Sequence, residues 1–245
     1  MAAGGKNEIQ AFIRSVRRFI PYPSKKTLRR WFPKFEERNI AFLFAECNID
    51  HIIDIGANAG QFAGKMRSAG YKGKIISFEP VQRIHDQLVD NSRHDPLWTA
   101  APRMALGSSD GEAIMNIMDD PALSSVLDLF GRQPSSRETV PMRRLDSVLQ
   151  DLELDHNASI ALKIDVQGLE QEVLDGAPNA LARAKAILIE LSLSPTYVGE
   201  TNYLKILNWL YERQFDAVYF CPVVNRPSLG KMYQVDALLV KRPDA

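Results

Sequence analysis

Residues 52–62 read Ile-Ile-Asp-Ile-Gly-Ala-Asn-Ala-Gly-Gln-Phe. An apolar strand ends in a carboxylate, passes a glycine-rich turn and enters a helix. A second apolar run, residues 75–78, ends in Glu79-Pro80. Strands that short, apolar throughout and separated by helical spacing belong to a parallel sheet covered on both faces. The same alternation recurs downstream. Residues 160–166 and 186–193 are apolar strands, and residues 59–69, 81–91, 170–174 and 202–213 carry helical periodicity. Residues 215–220 and 234–240 form a final strand pair with no helix between them. The expected fold is therefore α/β, a doubly wound and mostly parallel sheet with an antiparallel edge strand. The third strand is expected to end at Ala105-Leu106.

The 245 residues carry 30 basic and 30 acidic side chains, a net charge of zero. The balance is uneven. Residues 1–38 hold ten Lys/Arg against three Asp/Glu, a net of +7, so the rest sums to −7. The chain as a whole is not a basic nucleic-acid binder. Two isolated cysteines, Cys47 and Cys221, fit free thiols in a reducing, cytoplasmic setting. Four scattered histidines have no metal-ligand spacing, and no bound metal is expected. No apolar run approaches the ~18 residues that span a bilayer, and no signal-peptide core follows Met1.

Two domains are expected. Residues 1–45 read as a basic amphipathic helical extension, with apolar Phe12, Val16 and Phe19 opposite Arg14, Arg17 and Arg18. A second short helix is expected near residues 24–32. This extension can brace the domain or lie on an anionic membrane surface at its inner face. Residues 46–245 hold the sheet. Within them, residues 108–140 break the strand–helix alternation. Asp110-Gly111 signals a turn into a hairpin or edge strand, and residues 121–134 read as a long loop of the kind that lines binding sites.

In open α/β sheets, ligands lie beyond the carboxyl ends of the strands, where strand order reverses. Asp54 and Glu79 both stand at such ends. Gly56 and Gly60 allow close approach of backbone, with Asn58 between them. A carboxylate at Glu79 can accept hydrogen bonds from both ribose hydroxyls. The spacing Gly-x-x-x-Gly lacks the middle glycine of the dinucleotide fingerprint, which counts against NAD. Asp54 is unwelcoming to a pyrophosphate and favourable to a sulfonium. Lys163 and Asp165 lie two apart on one strand, hence on one face. They form either a structural ion pair or part of a catalytic group. Glu190 is a second acid candidate near the end of the next strand. Glu170 reads as a helix N-terminal charge.

The stretch Asp-Ile-Gly-Ala-Asn-x-Gly, then Phe-Glu-Pro, then Lys163-Ile164-Asp165-Val166-Gln167-Gly168-Leu169-Glu170 resembles the FkbM family of S-adenosyl-L-methionine-dependent methyltransferases. Arg144-Leu145-Asp146-Ser147 and Val173-Leu174-Asp175-Gly176-Ala177 extend the likeness over about residues 50–240. The resemblance implies a class I, Rossmann-like fold and O-methylation of a hydroxyl on a sugar, glycolipid or natural product. It implies that Asp54, Gly56, Ala57, Asn58 and Gly60 line the methionine and ribose side. Glu79 and Pro80 would lie at the ribose, and Ala105 and Leu106 near adenine. Asp165 would sit between cofactor and acceptor, with Lys163 and Glu190 beside it. A histidine brought in by the fold could share the base role, and Ser124, Ser125 and Arg132 could touch the acceptor. Two other classes stay open: an NAD-binding oxidoreductase, and a non-catalytic cofactor-binding assembly partner.

Overall fold

A computed structural model describes residues 35–152, 154, 157–226 and 231–243. Helix α1 (Phe35–Glu46) leads into β1 (His51–Ile55), α2 (Gln61–Ala69), β2 (Lys74–Phe78), α3 (Gln82–Ser92) and β3 (Trp98–Ala100). There follow β4 (Ala105–Leu106), β5 (Gly111–Ile117), a 3-10 turn (Pro121–Leu123), β6 (Ser136–Arg143) and α4 (Leu145–Val148). The chain closes with β7 (Ile160–Ile164), α5 (Glu170–Asp175), α6 (Pro178–Arg183), β8 (Ala184–Ser192), α7 (Tyr203–Glu212), β9 (Phe215–Arg226) and β10 (Lys231–Lys241).

Seven strands form the main sheet in the order β3-β2-β1-β7-β8-β10-β9. The first five are parallel, and β10 runs antiparallel to both of its neighbours. The chain winds outward from β1 to β3, then returns to the other side of β1 as β7. Strand order thus reverses between β1 and β7, which fixes where a ligand crevice opens. Alternate residues along β1 serve opposite faces. Ile53 and Ile55 pack with Leu162, Ile187 and Leu210, while Ile52 packs with Phe44, Met66 and Leu88. Each such fully buried side chain contributes roughly 1.5–3 kcal/mol.

Ile40 and Phe44 of α1 belong to that second cluster, so α1 packs on the sheet although most of it falls in the residues read as the extension. The helices expected over residues 9–20 and 24–32 lie outside the described residues. Helix α2 starts two residues later than its periodicity suggests. Asn58 (φ 50°) and Gly60 (φ 89°) hold the left-handed conformation, which no helix accommodates.

The third strand of the main sheet is a correction. Trp98–Ala100 pairs with Ile75–Ser77, and Ala105–Leu106 lies instead in a separate sheet of order β4-β6-β5. Pro102 has no N–H to continue the ladder. The Trp98 indole Nε1 donates to Ser77 Oγ at 3.0 Å, and Ser77 Oγ donates to Asp54 Oδ2 at 3.1 Å. Both groups are buried, so Ser77→Ala strands an indole N–H and strips one carboxylate oxygen. A loss of about 2 kcal/mol in urea unfolding is the expected result.

Candidate active site

The loops that follow β1 and β7 press together. Asp165 N donates to Ile55 O at 3.1 Å, and a β-carbon on Gly56 (φ 74°) would stand 1.8 Å from Asp165 O. Ala57 N donates to Phe78 O at 2.9 Å, which ties the same turn to β2. The left-handed turn at Asn58 aims its N–H at Glu79 Oε2, 3.0 Å away, and Val81 N donates to Glu79 Oε1 at 2.9 Å. The Glu79 carboxylate is thereby fixed from both sides. Each oxygen keeps a lone pair for a ligand hydroxyl. Burial pushes this acid up to about 7, against the pull of the two N–H groups.

Lys163 holds three groups at once. Its Nζ donates to Gly56 O at 2.9 Å and lies 3.4 Å from Asp54 Oδ1 and 3.3 Å from Asp165 Oδ2. Burial opposes its charge, but Asp165 and Asp54 hold its pKa above the usual lysine range. Asp54 is fully enclosed, and burial raises its acid, with Lys163 and Ser77 offsetting the rise.

Across the crevice, Gln167 Nε2 donates to Asp165 Oδ1 at 2.7 Å and to Glu190 Oε1 at 3.2 Å. Gln234 Nε2 donates to the same Glu190 oxygen at 3.0 Å. Burial, then the charges of Asp165, Asp236 and Glu170, push Glu190 up to about 9, so it carries a proton at neutral pH. Glu170 accepts from Gly168 N at 3.0 Å and closes the turn into α5, the structural part read for it.

Glu79, Asp165 and Glu190 line one cavity of about 330 Å³. That is the size range of small-molecule sites. Of the residues singled out from sequence, Gly56, Asn58, Glu79, Pro80, Ala105, Leu106, Asp165 and Glu190 border it. Four expected site residues do not. Asp54 points inward to Ser77 and Lys163, Ala57 lies in the core, Gly60 backs against the Trp98 ring, and Lys163 sits beneath Gly56 and Asp165. The strand end turns the Asp54 carboxylate into the protein, away from the cavity lining.

The histidines of the described residues are elsewhere. His85 Nε2 donates to Ala101 O at 2.7 Å, and no described histidine borders the cavity. Ser124 lines it, whereas Ser125 donates to Gln167 O at 2.7 Å and Arg132 is absent from the walls. Met104, Met115, Gln167 and Gln234 are wall residues that sequence reasoning passed over. Only Gln167 had a signal, its place in the turn after Asp165. The donor set fits an adenosyl cofactor: a fixed carboxylate for a diol, a glycine that brings backbone close, and an apolar flank of Leu106 and Met104.

The profile of the Methyltransferase FkbM domain matches residues 54–217. Hexuronic acid methyltransferase AglP of Haloferax volcanii is 27% identical over 157 residues, which cover 64% of this chain and 62% of that protein. The match thus spans less than two thirds of the relative's length. Among solved structures, a Klebsiella pneumoniae chain assigned as an O-methyltransferase aligns over 85% of this chain and 80% of its own, with TM-score 0.50 and 12% identity. Magnesium protoporphyrin IX methyltransferase (ChlM) of Synechocystis PCC 6803, crystallised with S-adenosylmethionine, covers 94% of this chain and 96% of its own at TM-score 0.44 and 11% identity. The Klebsiella likeness shows the class I methyltransferase fold. Family members take S-adenosyl-L-methionine as methyl donor. The matched segment begins at buried Asp54, ends inside β9 and takes in every cavity-lining residue except Val223 and Gln234; it places this chain in the FkbM family of S-adenosyl-L-methionine-dependent methyltransferases.

Proposed function

We propose that this methyltransferase acts on a hydroxyl of a sugar, a glycolipid or a polyhydroxylated natural product. One observation carries the reading: two carboxyl groups, Asp165 and Glu190, are brought together by the Gln167 amide on the wall of the cavity that Glu79 also lines. An alcohol is a weak nucleophile at neutral pH, and a carboxylate within reach removes its proton as the new bond forms. AglP is a hexuronic acid methyltransferase, which supports a sugar acceptor. Membership of a methyltransferase family displaces the nicotinamide alternative.

Glu79 is the residue to hold the ribose diol, with Gly56, Asn58 and Pro80 beside it and Ala105 and Leu106 at the adenine. The bound cofactor supplies a methyl group already activated on sulfur. The protein contributes alignment, a dry pocket and a place for the proton. Asp165, ion-paired with Lys163, is the acceptor of that proton. Glu190, protonated, donates a hydrogen bond to an acceptor oxygen. The basic segment over residues 1–45 supports peripheral contact with an anionic membrane, which suits a lipid-linked acceptor.

The test is transfer of a labelled methyl group to sugars and glycolipid extracts. The product is expected to survive mild alkali, as an ether does and a carboxylate ester does not. Transfer to no hydroxyl, or label released by alkali, overturns the reading.

Glu79 also sets a pH dependence. Its folded acid lies at about 7, raised by burial, so the ionised fraction grows as pH rises through that value. Ribose hydroxyls donate only to the ionised form with full strength. Calorimetry should find S-adenosylhomocysteine binding about tenfold tighter at pH 8 than at pH 6, the ratio of ionised fractions. Glu79→Gln should bind more weakly and flatten the profile.

A further inference from the structure

We propose that Gln167 is the positioning residue of the acceptor end: its amide locks Asp165 and Glu190 into one facing pair, and Tyr197 fixes which way that amide points. The inference rests on the hydroxyl-methylation reading for its purpose, but its geometry stands apart from it.

Gln167 occupies the left-handed region at φ 58°, which a β-carbon disfavours. Two contacts hold it there. Ser125 Oγ donates to Gln167 O at 2.7 Å while accepting from Leu127 N at 3.0 Å. On the other side, Tyr197 is almost wholly buried, with its hydroxyl 2.9 Å from Gln167 Oε1 and 3.1 Å from Leu123 O. Tyr197 is itself seated by Glu200, whose carboxylate accepts from Thr196 N at 2.8 Å and Tyr197 N at 3.2 Å.

The side-chain amide has one donor end and one acceptor end. The tyrosine has one proton; given to Oε1 rather than to Leu123 O, it leaves Nε2 to face the two carboxyl groups, and that nitrogen reaches both. A flipped amide would set its oxygen 2.7 Å from Asp165 Oδ1, acceptor against acceptor. The groups facing Glu190 come from every side: Asp165 after β7, Glu170 on α5, and Asp236 and Gln234 on β10. Among these groups and Gln167, the carboxylates raise its acid and the Gln167 hydrogen bond lowers it. The wall segment that holds Leu123 and Ser125 is thus wired to the proton-handling pair.

A half-buried glutamine and a buried tyrosine that only satisfy each other would leave the carboxyl titration untouched, so that titration is the test. Glu190 is followed by NMR of isotope-labelled carboxyl carbons in the S-adenosylhomocysteine complex, assigned with Glu190→Gln. Tyr197→Phe and Gln167→Leu should each raise the Glu190 midpoint by about one pH unit. On a hydroxyl acceptor, kcat should fall about tenfold with KM for S-adenosylmethionine within about twofold. A Glu190 midpoint unmoved in both variants, each still binding S-adenosylhomocysteine, overturns the proposal. A raised midpoint in a protein that methylates no hydroxyl upholds the positioning and sinks only the acceptor reading.

Discussion

Gly56→Ala should abolish S-adenosylhomocysteine binding and destabilise the fold by more than about 4 kcal/mol, the range reserved for a clash that cannot relax. The new β-carbon would lie 1.8 Å from Asp165 O and 2.8 Å from Asp165 C. Both are backbone atoms, so no side chain can swing aside. The φ of 74° adds the left-handed penalty of roughly 1–2 kcal/mol. Relief requires the β1 turn to lift away from β7. That would break the Lys163 Nζ donation to Gly56 O and carry Asn58 N away from Glu79. Gly64, with open space around its β-carbon position inside α2, is the control. Gly64→Ala should raise stability by about 0.5–1 kcal/mol. Urea unfolding midpoints of the two variants decide the matter: a Gly56→Ala loss below about 1 kcal/mol refutes the close packing of the two turns.

The second large effect is chemical. Asp165→Asn should lower methyl transfer about a thousandfold, within the range of a lost general base, while S-adenosylhomocysteine affinity stays within about threefold. The side chain of Asp165 is about a third exposed, at 31%, so the amide costs little in folding. Lys163 keeps Asp54 as its ion partner. What vanishes is, among the described residues, the one carboxylate that both borders the cavity and pairs with Lys163. Single-turnover transfer with saturating donor is the measurement. Unchanged turnover removes Asp165 from the chemistry and leaves Glu190 as the remaining acid.

The main sheet was legible because β1, β2, β7 and β8 are mostly apolar, and burial on both faces explains that pattern. The antiparallel tail was legible from a strand pair without an intervening helix. β6 was not, since Ser136–Arg143 mixes charged residues with a proline and its partner β5 lies 19 residues upstream across an irregular loop. β3 has three residues, too few for any period. At the site, Glu79 was readable as a strand-end carboxylate next to a glycine turn. The inward turn of Asp54 was not, because period 2 says which face a side chain takes but not whether that face meets ligand or core. Met104, Met115 and Gln234 reach the cavity through tertiary folding alone, from segments distant in the chain.

One feature of the topology reaches past this molecule. Everything from residue 101 to 159 departs from an edge strand and returns as a central one. Within that excursion sit β4, β5, β6 and the turn whose residues wall the cavity opposite β1. Its length and chemistry can therefore change without altering a single pairing of the seven-stranded sheet. Evolution, or a laboratory graft, can swap the part of it between Leu106 and Arg143, with Ser125 kept, to retune which molecule is modified while Glu79, Ala105, Leu106, Asp165 and Glu190 keep their places.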